Sequence, residues 1–448
     1  MSRWTTHGTT VVLLCCMLGT SGAALANPAE QLSIPTPLDI ERCVAIARTH
    51  SDLIGQSQGQ FEAAVGARTR SYQGILPSIS GSASYSRDYV DYLGIAGVEY
   101  SGRFGFYLRT DLLNIPSLQN VRSQGANLTA ATADLETTEA DVELAAREQF
   151  YACVAALKLA EVEERAVDLA QEQLRRSETL FRLGSVAKSD VLQARVNLAE
   201  AEQLAIQRRN AVGIEHARLA VFMGIDPRTP VTVDSAIAVP VADPGEELDT
   251  WVERAMQRRS DVAAARARLS AAELSRSAAQ LQRLPTLQAN AGWSRSARDE
   301  DWQLSTPPNP PETLGARYNN NWSVSLSLSV PIFSGLAIVG EQQTARGNLR
   351  TRRESYERLT KEVALEVRNS FNGIREARES LHAARTSVNL AAESLRLQQA
   401  LYESGAGTLL EWDNARLDLR RARVSLIQAE IALVLAHARF GKAVGETR

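Results

Sequence analysis

The fold is indicated most clearly by the stretch Trp322-Ser323-Val324-Ser325-Leu326-Ser327-Leu328-Ser329-Val330. Apolar and small polar residues alternate throughout it, which is the period of a β-strand with one apolar and one polar face. This pattern is typical of strands that face lipid on one side and water on the other. A strand of a soluble sandwich shows the same alternation, so this stretch alone leaves both alternatives open.

Residues 78–86, 99–109 and 286–294 show the same alternation. They predict two pairs of strands, at about 77–113 and about 285–333, joined by polar or proline-rich loops at 87–98 and 295–321 that would face outside the cell. A membrane-spanning barrel needs about eight strands or more, so several chains must pool their strands. Aromatic residues near the strand ends suit the membrane interfaces; they are Tyr85, Tyr89, Tyr100, Trp293, Trp302, Tyr318 and Trp322.

Two long segments predict helices of unusual length. From about Pro116 to Leu183 no proline interrupts an amphipathic pattern of about 65 residues, or about 100 Å of helix. A second segment, from Leu336 to about Leu401, has the same length. Helices of about 11 to 12 residues are the average in globular proteins, so these segments predict a rod or a tube. The helices alone do not distinguish a coiled-coil stalk from a channel.

The chain contains two copies of one plan. Residues 139–224 align without a gap on residues 360–445, and 24 of the 86 aligned positions are identical. Each copy is predicted to run helix, two strands, long helix, turn and return helix. The first repeat spans 27–225 with a turn near Gly184, and the second spans 248–448 with a turn near Gly405. A proline-rich linker covers 226–247.

The N-terminus and the composition narrow the possible functions. Residues 1–26 read as a cleaved signal peptide, because Arg3 precedes a short apolar run and a small-residue site. Cys43 and Cys153 remain after cleavage and are predicted to be small buried residues without a role as a disulfide framework or metal site. A formal net charge of -3 argues against a nucleic-acid partner. Histidines scattered on helical segments argue against an enzyme, and no cofactor is expected.

The sequence resembles the TolC-like outer-membrane efflux family over essentially the whole mature chain. The resemblance rests on residues 322–335, on the Leu-Pro-Ser/Thr strand starts and on two turns, at 182–194 and 403–415. It implies a mainly helical protomer that gives four strands to a twelve-stranded barrel shared by a homotrimer. It also implies a passive exit duct in the outer membrane of a Gram-negative bacterium, with its helices in the periplasm. A periplasmic adaptor and an energised inner-membrane pump would be its partners. The alternative is a periplasmic adaptor or stalk protein without a barrel.

The resemblance and the strand pattern assign candidate site residues. The two turns would form adaptor-docking tips, with Gly184, Ser185, Val186, Gly405, Gly407 and Thr408. The family's closing network matches Asp190 and Tyr402, whereas its arginine falls on Gly407, and its aspartate rings fall on Glu411 and Asn414, with Asp413 beside them. Glu411 facing solvent on an exposed helix is the alternative. The lipid-facing residues would be Trp322, Val324, Leu326, Leu328 and Val330.

Overall fold

The computed structural model describes residues 37–92, 95–239, 245, 247–301 and 317–446. The expected signal peptide lies outside these residues, as do Trp302 and part of the linker. The elements run in the order α1 (Ile40–His50), α2 (Asp52–Ser71), β1 (Ser78–Tyr92), β2 (Ile95–Leu113), α3 (Ile115–Arg182), α4 (Lys188–Phe222), α5 (Leu248–Arg258), α6 (Ser260–Leu281), β3 (Thr286–Asp301), β4 (Arg317–Ser329), α7 (Ala337–Glu403) and α8 (Leu409–Val444).

The two long helices are confirmed. The helix α3 has 68 residues and α7 has 67, so each is about 100 Å long. Each is followed by a return helix, α4 of 35 residues and α8 of 36. The chain therefore contains two helical hairpins, α3/α4 and α7/α8.

The helix that opens each half differs from the prediction, because it is broken in two. Ser51 separates α1 from α2, and Arg259 separates α5 from α6, each in an extended conformation with φ and ψ near −67° and 127° or −69° and 128°. An aspartate, Asp52 or Asp261, stands in the first turn of the second helix in each pair. Negative charge is favourable at a helix N-terminus, which helps a new helix begin there.

The four strands form one antiparallel sheet in the order β1-β2-β3-β4. They are longer than the alternation predicted, so the loop predictions were partly wrong: β1 runs on to Tyr92, β2 begins at Ile95, β3 extends to Asp301 and β4 begins at Arg317. Backbone pairing continues into polar sequence because a ladder needs amide and carbonyl groups rather than apolar side chains. Residues 302–316 lie outside the described residues.

The helices bury a core of their own. In the second half, Val363, Val367 and Ile374 of α7 pack with Leu433 and Phe440 of α8 and with residues of α5 and α6. By length and composition, α8 is the one described helix apolar enough to cross a membrane. About a quarter of its apolar window is buried within the protomer, part of it in this core.

The linker is anchored to the first half. The amide of Leu38 donates to the Thr232 carbonyl at 2.8 Å, and the amide of Asp234 donates to the Leu38 carbonyl at 3.0 Å. This short parallel bridge pairs Leu38 with Val233, and Leu38 is fully buried. The Val-Thr-Val run of the linker therefore packs beside the start of α1.

Candidate functional site

One face of the sheet is apolar across all four strands. The register aligns Leu326 with Ala289, Val324 with Ala291 and Trp322 with Trp293, and Trp293 with Phe106. Val324 is 86% exposed, Trp322 78% and Ile79 77%, so the described residues leave this apolar face uncovered. The predicted residues Trp322, Val324, Leu326 and Leu328 lie on it, and Val330 follows directly after β4.

The opposite face is polar. It carries serines of β1 and β4, short amides of β3 and a few larger residues of β2, and its members include Ser78, Ser80, Ser82, Ser84, Ser86, Arg103, Tyr107, Arg109, Gln288, Asn290, Ser323, Ser325, Ser327 and Ser329. A sheet with one bare apolar face and one polar face suits a wall between lipid and water.

The inner end of the sheet is tied to α3. Asp111 accepts hydrogen bonds from Gln288 Nε2 and Asn114 Nδ2, both at 2.9 Å. The Asn114 side chain in turn accepts from the Ser117 amide at 3.1 Å and caps α3. The strand and the long helix are therefore joined by a fixed corner.

The two helical hairpins turn in the same way. Gly184 and Gly405 adopt positive φ of 75° and 77°, which glycine tolerates at little cost. The Ser185 amide then donates to the Leu180 carbonyl, and the Ala406 amide to the Leu401 carbonyl, both at 3.0 Å. This is the Schellman arrangement, which satisfies carbonyls left open at a helix end. The predicted tip residues Ser185, Val186, Gly407 and Thr408 lie in these turns.

The second turn has a helix cap that the first lacks. Thr408 Oγ1 accepts from the Glu411 amide at 3.3 Å, and the Glu411 carboxylate accepts from the Thr408 amide at 2.9 Å. This capping box stabilises the start of α8. The hydrogen bond from the Thr408 amide, followed by the one that Thr408 Oγ1 donates to the Glu411 carboxylate at 2.9 Å, lowers the pKa of Glu411. At the start of α4, Ala187 offers no such cap.

Tyr402 is buried between the hairpins, although a position so near a helix tip is usually exposed. It is 8% exposed and stacks on Trp412 with a ring separation of 5.2 Å. Burial raises the pKa of Tyr402, and the negative charges of Asp190 and Asp413 raise it further. The structure therefore brings the two residues predicted for the closing network, Asp190 and Tyr402, into one neighbourhood.

Asp413 joins three helices. Its carboxylate accepts from Gln173 Nε2 of α3 at 2.9 Å and from Asn197 Nδ2 of α4 at 2.8 Å. Arg416 lies 3.4 Å from the same carboxylate and donates to Gln173 Oε1 at 2.7 Å. The Asp413 side chain is only 14% exposed. We refer to Asp413, Arg416, Gln173 and Asn197 as the Asp413 network.

The predicted aperture residues thus fall in three different settings. Glu411 is exposed, and its carboxylate accepts the hydrogen bond that caps α8. Asn414 is exposed. The Asp413 carboxylate is held between the hairpins of one protomer. A trimeric aperture ring for these residues stays a prediction. Within one protomer, Asp413 acts as a link from α8 to α3 and α4.

Sequence reasoning missed the partners of Asp413. Gln173 and Asn197 stand in helices rich in Gln, Asn and Glu, where nothing distinguishes a buried amide from an exposed one. Arg416 carried a usable signal, because it lies three residues after Asp413 on a helix and can form an i,i+3 pair. A further link, the ion pair between Arg176 of α3 and Glu403 of α7, was also not predicted.

Cys43, Cys153 and His216 lie in environments that suit packing. Cys43 and Cys153 are buried free thiols, and burial raises the pKa of each to about 12. Burial also lowers the pKa of His216, which suits a packing role. Among the described residues no group of His, Cys, Asp and Glu is placed to hold a metal ion.

The sequence matches the family model described as outer membrane efflux protein over residues 47–225 and 251–446. It is 27% identical to protein CyaE of Bordetella pertussis over 310 residues, 66% of this chain and 63% of that protein. It is 22% identical to the outer membrane protein TolC of Vibrio cholerae over 395 residues, 86% of each chain.

Solved structures share the fold. The CmeC outer membrane channel of Campylobacter jejuni superimposes with a TM-score of 0.74 at 17% identity, over 91% of this chain and 85% of that one. CusC, whose structures concern transmembrane channel formation, gives a TM-score of 0.78 at 16% identity, over 91% and 92%.

Proposed function

This chain belongs to the outer membrane efflux protein family, and we propose that three copies of it form a passive exit duct through the outer membrane. The observation that carries the proposal is the four-stranded sheet with one bare apolar face and one polar face. In a closed barrel the apolar face would meet lipid and the polar face would line a water-filled lumen.

The open edges of the sheet require other copies. β1 and β4 each pair with a single neighbour, so each leaves one row of backbone groups unpaired. In hydrocarbon every such group must be satisfied, which only a closed barrel achieves. If β4 of one copy pairs with β1 of the next, three copies give twelve strands and no open edge.

The helical hairpins also leave apolar side chains for neighbouring copies to cover. Exposed large apolar residues recur along α4 and α7; they include Leu192, Val196, Ile206, Ile214, Leu365, Leu390, Leu397 and Leu401. We take these residues as the side chains that a neighbouring protein surface would cover. A ring of three hairpin pairs would bury them and enclose a tunnel below the barrel.

The two tips, at Gly184 and Gly405, would then lie at the periplasmic end of this tunnel. There we place docking by a periplasmic adaptor that links the duct to an energised inner-membrane pump. Two further relatives are named for pyoverdine export and for protease secretion, so the names of relatives do not select one cargo. The duct itself is proposed to supply passage rather than energy.

Native mass spectrometry of the protein extracted in mild detergent tests the proposal. We expect a homotrimer that dissociates on heating, together with ion conductance after insertion into a planar lipid bilayer. A stable monomer without conductance would contradict the shared barrel. Fractionation of the native cell envelope separates this proposal from the periplasmic stalk, which would be released with the soluble periplasm.

A further inference from the structure

The polar face of the sheet holds an uneven charge. Between the level of Ser84, Arg103, Ser296 and Asn319 and the level of Ser78, Arg109, Asn290 and Ser325, the charged residues of this face are Arg103 and Arg109, both on β2. Serine, asparagine, glycine and one tyrosine make up the rest of this band. Asp88 stands beyond this region at the outer end, and Asp111 at the inner end is held by Gln288 and Asn114.

Neither arginine forms an ion pair with a described carboxylate, although Asp111, two residues after Arg109 on the same face, is close enough for the two charges to interact. Both arginine side chains are exposed. Their cross-strand neighbours are Ser84 and Ser296 for Arg103, and Ser78 and Asn290 for Arg109. A hydroxyl or an amide cannot cancel the charge of a guanidinium, so Arg103 remains a source of positive potential, whereas Asp111 offsets part of the charge of Arg109.

The large neighbour Tyr107 does not screen the arginines. A side-chain carbon added at Gly292 would lie 3.1 Å from its ring, and one added at Gly105 would lie 3.1 Å from its hydroxyl. The tyrosine therefore lies along the wall over two glycines. Arg103 and Arg109 are the long side chains left to project, about 20 Å apart along β2.

We propose that Arg103 and Arg109 make the barrel lumen a passage that favours anionic solutes. This inference rests on the proposed function, since it takes the polar face as the lumen and repeats the pair three times. Six guanidinium groups, opposed at the inner end by three Asp111 carboxylates, leave a net positive charge inside a low-dielectric wall, which raises the local concentration of anions. Because arginine stays charged at every physiological pH, the preference is expected to be independent of pH.

The reversal potential in a KCl gradient across a planar bilayer measures this preference. Relative to the parent, the double variant Arg103→Gln/Arg109→Gln should lower the chloride-to-potassium permeability ratio by about threefold or more. The variant Arg103→Lys/Arg109→Lys should keep the parent ratio. Arg87→Gln is the matched control, because Arg87 shares the sheet but alternates onto the apolar face. An unchanged ratio in the double glutamine variant, or an equal fall in the control, would overturn the proposal.

A thiol reporter gives a second measurement that does not depend on removing the arginines. Ser82 pairs with Gly105, between the levels of Arg103 and Arg109, and Cys43 and Cys153 are buried thiols with raised pKa values. In the assembled protein, Ser82→Cys should react severalfold faster with a negatively charged methanethiosulfonate than with a positively charged one. Equal rates would contradict the inference while leaving the duct intact, whereas a parent without conductance would contradict the duct itself.

Discussion

The sheet and the helical hairpins bury their side chains in opposite ways. The hairpins supply their own partners, as in the core around Val367, Ile374 and Phe440. The sheet leaves both of its faces exposed, including large residues such as Trp322 and Val324. Apolar surface is stable when removed from water, so the sheet depends on surroundings outside the chain, whereas the hairpins bury a core within the protomer and leave the exposed apolar side chains of α4 and α7 for neighbouring copies.

This difference separates where substitutions should act. A substitution on the sheet should alter the stability of the assembled protein only through the contact of that face with its surroundings, lipid on the apolar face and water on the polar face. A change inside a hairpin should alter the protomer itself. Matched pairs of substitutions, one on each face of the sheet or both within the hairpins, distinguish these two cases.

The largest effect is expected on the apolar face of the sheet. Leu326→Arg should destabilise the assembled barrel by about 2–4 kcal/mol, because it places a charge in lipid near the midplane. The neighbouring Ser327→Arg should assemble normally, since its side chain lies on the polar face. Urea titration of the protein folded in lipid vesicles, followed by heat-modifiable migration, measures both. Equal damage from the two variants would show that the faces are assigned wrongly.

Inside the hairpins, Asp413→Ala should destabilise the helical part by about 1–3 kcal/mol. It leaves the Gln173 and Asn197 amides without their acceptor and Arg416 without its counter-charge in a half-buried site. Far-UV circular dichroism during thermal unfolding would show the loss as a lower midpoint.

Asp418→Ala provides the control on the same helix. Asp418 pairs with Arg421 at the surface, where both side chains are at least 65% exposed. Such pairs contribute about 0–1 kcal/mol, so this variant should unfold close to the parent. If both aspartate variants behave alike, the Asp413 network is no more than a surface contact.

The sequence predicted the features that repeat along the chain. The alternation at residues 322–330 and the long amphipathic segments each extend over many residues. A single irregular residue therefore does not hide them. The paired strands and the two long helices are accordingly present in the structure. The glycine turns could also be predicted from the sequence, because the positive φ at Gly184 and Gly405 favours glycine over other residues.

Features set by one contact escaped the sequence. The breaks at Ser51 and Arg259 occupy a single extended residue each, and neither carries a proline or glycine signal. The outer parts of the strands are polar, so their pairing depends on backbone groups that every residue has. From its position in the sequence, Asp413 was predicted to lie near the tunnel mouth. Its amide partners could not be predicted, because they come from segments more than 200 residues away.

The turns of the hairpins offer a smaller test. Gly405→Ala should cost about 1–2 kcal/mol, because an alanine must hold the left-handed conformation that glycine adopts at φ 77°. Gly347→Ala should instead stabilise by about 0.5–1 kcal/mol, since Gly347 lies inside α7 with open space at its Cβ position. Chemical unfolding in detergent compares them. Shifts of the same sign would mean that the Gly405 turn is not under conformational constraint.

The two roles of Glu411 give the last and subtlest test. Within one protomer it closes the capping box with Thr408, and in a trimer its carboxylates are predicted to meet near the tunnel mouth. Since the cap lowers the pKa of Glu411, the stability that it contributes is present above the ordinary glutamate pKa and is lost as pH falls through the lowered value.

Two substitutions separate these roles. Thr408→Ala removes the cap, at a cost of about 0.5–1 kcal/mol, and keeps the charge. Glu411→Gln removes the charge and keeps a side chain that can still complete a capping box. If the mouth prediction holds, only Glu411→Gln should reduce block of the bilayer conductance by multivalent cations applied from the tip side, because converging carboxylates attract such ions. Unchanged block in Glu411→Gln, with reduced stability in Thr408→Ala, would leave Glu411 as a helix cap and nothing more.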